Sequence, residues 1–190
     1  MRNRALVVAA VVAAAPGLAA QTPRTIRPEI RPFAGAMIPT GGQRALFGDA
    51  AVAGLQVALE LKPSLHLLST FTWSPGHERF GLGSDRVTIL EYNVGVEFGF
   101  VEPLAGRWEL RPFIGAGLGG RSYAYEASAL ADRHCNAAYG AVGAEFQLAR
   151  TALRLEVRDH AYCFRSPVAG VSSTGANDIG LSLGVAYHLR

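Results

Sequence analysis

The sequence is poor in lysine: of its 18 basic residues only Lys62 is not an arginine, and the arginines are spread along the chain without forming a patch. The sequence pI of ≈ 9.1 therefore gives no reason to expect nucleic-acid binding. Long apolar runs are missing as well. Beyond the N-terminal segment none reaches the roughly 18 residues that a membrane-spanning helix needs. Cysteine occurs only twice, at Cys135 and Cys163. With 49% apolar residues in 190, the chain is nonetheless too hydrophobic to be disordered and has room for one domain.

What is present starts with a secretory signal. Arg2 and Arg4 precede an apolar block from Ala5 to Ala15, Pro16-Gly17 breaks it, and small residues lead to a cleavage point after Ala19 or Ala20. Removing residues 1–20 takes away two arginines, so 16 basic residues face 15 acidic ones and the mature net charge is +1. Residues 21–28 read as an extended lead-in. Residues 29–190 carry the fold.

The most informative stretch is Val87 to Phe100. Leu90, Tyr92, Val94, Val96, Phe98 and Phe100 occupy one parity; Glu91, Asn93, Gly95, Glu97 and Gly99 occupy the other. A period of two gives a strand with two unlike faces, and fourteen residues is long for a soluble protein. The same alternation predicts strands over Glu29–Pro39, Ala51–Leu61, Leu65–Ser74, Trp108–Gly119, Asn136–Leu148, Thr151–Phe164 and Asn177–Leu189. The total is eight. Connections are long after strands one, three, five and seven (Gly41–Asp49, Pro75–Ser84, Arg121–His134, Arg165–Ala176) and short after two, four and six. EASALADR, within the third of these, is expected to form a turn of helix. The opening of the first strand, EIRPFAGA, returns 80 residues later as ELRPFIGA with six of eight positions identical, consistent with an internal duplication or with chance similarity.

The charged parity decides which face looks inward. Glu60, Glu91, Glu97, Glu109, Arg111, Glu145, Arg154, Glu156, Arg158 and His160 share it. Were they to face water, the Leu, Val, Phe and Tyr parity would have to fill a lumen too narrow for it. The expected architecture is therefore a closed eight-stranded antiparallel up-and-down transmembrane β-barrel, apolar outside, with a charge network plugging the interior and no open pore. Asp159 fits badly, because it takes the outward parity.

On these features the chain resembles the eight-stranded outer-membrane barrels of the OmpA and OmpX type over Glu29 to Arg190. Ser182, Gly184, Tyr187 and Leu189 look like the closing signal that barrel-assembly machinery reads, although this chain ends Leu189-Arg190 where the family usually ends on Phe. The resemblance implies an outer-membrane location, contact with its lipids and with the assembly machinery, an extracellular partner of unknown identity, a monomer, and a structural or surface-interaction role without a cofactor.

Few residues invite chemistry. Cys135 opens the sixth strand and Cys163 closes the seventh, so a disulfide is expected at the long-loop rim, stabilising by roughly 3 kcal/mol in the chain-entropy view. A metal site from His134, Cys135, His160 and Cys163 is the rival, weakened because His160 and Cys163 point to opposite faces. Some outer-membrane barrels are lipid A deacylases using a His, a Ser and an acid on the outer surface, and that resemblance would cast His160 as base. Tyr162 stands where its serine would be. A periplasmic lipocalin-like binder of apolar ligands is the third reading. No catalytic or metal-binding residue is assigned.

Overall fold

The computed structural model describes residues 28–45, 47–78, 85–104, 108–125, 133–164 and 174–189. The expected signal segment, residues 21–27 of the expected lead-in, and most of EASALADR with its expected helical turn lie outside the described residues. The strands are β1 (Pro28–Pro39), β2 (Ala50–Lys62), β3 (Leu65–Glu78), β4 (Asp85–Gly99), the two-residue β5 (Glu102–Pro103), β6 (Trp108–Tyr125), β7 (Arg133–Leu148), β8 (Thr151–Phe164) and β9 (Thr174–His188), with a 3-10 turn at Gly41–Ala45. Each long strand pairs antiparallel with its sequence neighbours, β1 pairs with β9, and β4 pairs with β6, so eight long strands close into a barrel while β5 only extends the turn before β6.

Closure is staggered. Followed one way from Ala34, the ladder passes Ala53, Trp73, Leu90 and Ser122 to reach His134; followed the other way, through Leu183 and Leu155, it reaches Ala144. The difference between positions 134 and 144 is a register shift of ten residues, which fixes the tilt of the strands against the barrel axis.

The two faces separate as the parity requires. Leu55, Phe71, Val94, Val96, Ile114, Leu118, Val142, Leu155 and Leu183 are exposed on the outside, Leu118 at 72%, whereas Arg31, Glu97, Arg111, Glu145 and Arg154 are buried within, Glu145 at 0%. A water-soluble barrel has the reverse arrangement.

Three of the long connections are shorter than expected. β3 runs on to Glu78 and pairs with a β4 that begins at Asp85; β6 runs through Arg121 to Tyr125; β7 begins at Arg133 and β9 at Thr174. Arg133, the last residue of EASALADR, is strand. The physical reason is a second, smaller core. At this end the inward parity turns apolar, and Met37, Phe47, Ala50, Val87, Ile89, Tyr123, Ala137, Tyr162 and Ala176 pack together with Tyr125 and Cys135 against them. Burying that cluster gives the ladder reason to continue past the apolar outer belt. Phe47 is delivered by the segment after the 3-10 turn, whose amide donates to the Gln43 carbonyl at 2.9 Å.

At the other end the turns are tight. Ala149 takes φ 59° in the Ala149-Arg150 link between β7 and β8, a left-handed conformation that favours glycine. The register slips between Glu60 and Lys62, marking a bulge where β2 turns into β3.

Candidate functional site

The interior is organised around two carboxylates that come from different strands and share their partners. Glu97 of β4 receives Arg31 Nη1 at 3.3 Å, Arg111 Nη1 at 3.0 Å and Arg154 Nη2 at 2.5 Å. Glu145 of β7 receives Arg111 Nη1 at 2.8 Å and Arg31 Nη2 at 3.4 Å, and it also pairs with Arg154. Three guanidiniums and two carboxylates thus form one knot, extended by Glu29 on Arg31 (2.9 Å) and by Glu156, which accepts from Arg154 (2.6 Å) and from Arg158 (2.6 Å). His66 Nδ1 lies 2.7 Å from Arg111 Nη2. Charges so far from water persist only when paired, and each guanidinium here faces a carboxylate, although Arg111 Nε is left without an acceptor.

Nearer the long-loop end lies a second cluster. Arg121 bridges Glu91 (2.7 Å) and Asp178 (2.5 Å), and its guanidinium sits 3.9 Å from the centre of the Tyr162 ring. Tyr162 donates its hydroxyl to Asp178 at 2.9 Å, Asn93 donates to Glu91 at 2.6 Å, and His160 Nδ1 is 2.6 Å from Glu91 Oε1. Glu91, Arg121, Glu156, Arg158 and His160 surround a cavity of about 40 Å³. That is room for about two or three waters and no more. Above it comes the apolar cap with Phe47.

Tyr139 links the two clusters. Its ring lies across Gly117 and Gly95 on the neighbouring strands and carries the Arg158 guanidinium 4.1 Å from its centre. A Cβ on Gly117 would fall 2.5 Å from Tyr139 Cε1, so only glycine leaves the ring its track.

The fold is that of the eight-stranded outer-membrane barrels. Solved structures similar to this one include Neisserial surface protein A (12% identity, TM-score 0.57, covering 85% of this chain and 96% of that one) and OprG from Pseudomonas aeruginosa (14%, 0.57, 87% and 96%). The N-terminal barrel domain of Pseudomonas aeruginosa OprF is a third (14%, 0.50, 86% and 97%). At these identities the likeness concerns fold. No family model matches the sequence, and no curated protein matches it significantly.

Of the ten residues expected in the lumen, Glu91, Glu97, Arg111, Glu145, Arg154, Glu156, Arg158 and His160 are buried inside. Glu60 and Glu109 are corrections. Both keep the inward parity but sit at the short-turn rim, Glu60 half-buried beside the bulge and Glu109 exposed opposite Gln147 and Pro103. Water solvates them there.

Arg31, Glu29, Arg121 and Asp178 were missed. The repeated context, EIRPF at 29–33 and ELRPF at 109–113, could have revealed Arg31, since it matches Arg111. Continuing the parity of Arg111 through Gly119 reaches Arg121, and that of Gly180 reaches Asp178.

The expected disulfide is also corrected: Cys135 and Cys163 are free thiols. Cys135 shares the inward parity of Ala137 and packs against the apolar cap, whereas Cys163 follows Tyr162 onto the outward face and is exposed. Opposite faces of one sheet keep the two sulfurs apart. The same geometry separates them as ligands, and no cluster of three or more metal-ligating side chains occurs among the described residues. His160 faces the lumen and Glu91, so it is not a surface base.

Two polar side-chain contacts lie on the outward face near the long-loop end among the described residues. Asn177 donates to Asp159 Oδ1 at 3.2 Å, close to the 3-10 turn, which gives the misfit aspartate a partner. Two strands away around the barrel, between β6 and β7, Ser122 Oγ lies 2.7 Å from His134 Nδ1.

Proposed function

We propose that this protein resides in a bacterial outer membrane as a closed barrel whose interior admits no solute stream and whose outer rim supports envelope integrity or surface interaction. The observation that carries this reading is the sorting of side chains: exposed large apolar residues on the outside of every long strand, Ile30 alone on β1 and two or more Leu, Val, Phe or Trp on the others, and six buried carboxylates with five buried guanidiniums inside, among the described residues. Such a surface is stable against acyl chains and unstable against water. Trp73 and Tyr92 toward one end and Phe98, Trp108 and Tyr187 toward the other match the interfacial belts of membrane proteins. The ion-pair knot and the apolar cap in series argue for a plugged lumen, and the cavity lined by Glu91, Arg121 and His160 holds only a few waters.

Its partners on this reading are outer-membrane lipids along the belt, the barrel-assembly machinery through the C-terminal strand, and an extracellular molecule at the rim. The soluble lipocalin-like reading is disfavoured by the same sorting.

The test is fractionation followed by conductance. The protein should resist carbonate extraction, migrate faster on gels before boiling than after, and give no steady current in planar bilayers. Carbonate release would overturn the location, and a steady current would overturn the plug. A deletion strain compared for envelope permeability and adhesion reads the role of the rim.

A further inference from the structure

The Ser122–His134 contact is the one place on the outward face where a nucleophile and a base meet in the described residues. Ser122 belongs to β6, His134 to β7, and the two are direct partners in the ladder, so strand pairing holds them together. At 2.7 Å the serine Oγ–H can donate to a neutral imidazole at Nδ1, which is the arrangement that activates a serine. The pair is accessible: His134 is exposed and Ser122 half-buried.

Its surroundings are those of a boundary. Leu118, four residues earlier on the same face of β6, is exposed apolar surface, and Leu90 is the partner of Ser122 on β4. With a strand rise of about 3.3 Å and a tilt of about 40°, Ser122 stands about 10 Å above Leu118 along the barrel axis. Hydrogen-bond donors flank it. The Tyr92 ring lies over Gly120, where a Cβ would meet Tyr92 Cζ at 2.6 Å, and exposed Asn136 pairs with Gly120 in the ladder. A hydroxyl, an imidazole, a phenol and an amide therefore share one patch just above an apolar belt.

We propose that Ser122 and His134 form a nucleophile–base pair that hydrolyses acyl esters of lipids at the membrane–water boundary. The inference rests on the membrane-spanning reading given above. Ser122 Oγ attacks the ester carbonyl carbon while its proton passes to His134 Nδ1. The bond from that carbon to the alcohol oxygen then breaks, the alcohol leaves with the proton from Nδ1, and the acyl group remains on Oγ. Water attacks the acyl-serine, His134 takes its proton and returns it to Oγ, and a fatty acid departs. Tyr92 and Asn136 are the donors that would face the carbonyl oxygen as it gains charge. The acyl ester could come from a glycerophospholipid or from lipid A, which offer the same bond at the same depth.

The experiment uses the full protein, folded in detergent and shown to migrate faster on gels before boiling. It is added to phosphatidylethanolamine vesicles in one arm and lipid A vesicles in the other, and released fatty acid is measured by mass spectrometry. The expected result is release in at least one arm, the arm identifying the source, falling at least about 100-fold in Ser122→Ala and in His134→Gln. An alkyl fluorophosphonate should label the wild type at Ser122 and not Ser122→Ala. Absence of release in both arms, or equal release by Ser122→Ala, overturns the proposal. A protein that resists carbonate extraction but releases nothing overturns this inference alone, whereas carbonate release overturns the membrane reading with it.

Discussion

Arg31 and Arg111 reach the same oxygen. From β1 and β6, Nη1 of each approaches Glu97 Oε1, at 3.3 Å and 3.0 Å, and both guanidiniums also contact Glu145. The two arginines occupy equivalent places in the repeated EIRPF and ELRPF segments, and the packing repeats with them. Phe33 lies over Gly54 of the next strand and Phe113 over Gly143 of the next strand. The similarity first seen as letters thus has a physical counterpart, two hairpins that each present an arginine to a shared pair of carboxylates.

Removing Glu97 should therefore be costly. Glu97→Ala leaves three buried guanidiniums short of a partner, and the expected loss is about 3–5 kcal/mol. Urea unfolding in detergent, followed by tryptophan fluorescence, should show the midpoint fall in Glu97→Ala. An unchanged midpoint would mean that water reaches the knot.

Gly117→Ala should destabilise by about 1–3 kcal/mol, because a Cβ there meets the Tyr139 ring and the β4 backbone at Val94 and Gly95. Combining it with Tyr139→Ala should recover part of the loss, and the double-mutant comparison by the same unfolding assay checks the contact directly.

Leu155→Arg, in the middle of the outward face of β8, should cost about 2–4 kcal/mol in lipid, while Asp159→Ala four residues on should be close to neutral. Folding yield into vesicles, read by gel mobility without boiling, distinguishes the two. Equal yields would argue against an apolar medium around Leu155.

Both cysteines should react with maleimide without prior reduction, Cys163 fast and Cys135 slowly. Burial pushes the Cys135 thiol up from its ordinary value, at the long-loop rim beyond the apolar belt, which slows it further at neutral pH. One thiol or none in the unreduced protein would overturn the free-thiol geometry.

Ala149→Gly should be neutral or stabilising by about 0.5–1 kcal/mol, since it relieves a left-handed residue in the β7–β8 turn, offset partly by the freedom glycine adds to the unfolded chain. The unfolding midpoint should not drop.

Strand number, order of faces and most of the buried charges were legible because a barrel repeats one rule, alternation, along each strand. The misses occurred where a second influence entered. Glu60 and Glu109 obey the rule but lie at the rim, where depth, not parity, decides burial. Cys135 and Cys163 come together by position along neighbouring strands, yet parity sends them to opposite faces. Val87, Ile89, Tyr123 and Tyr162 are apolar or aromatic on the inward parity, and without depth nothing in the letters says that the lumen changes character there. Ser122 and His134 become neighbours only through register, which depends on where each turn begins.

The cap around Phe47 gives the staves a grip on one another that does not depend on lipid. Stripped into mild detergent, the rungs beside it in β4, β6, β7 and β8 should therefore stay closed, their amides exchanging slowly with deuterated water. A barrel so clasped keeps its mouth when its solvent changes.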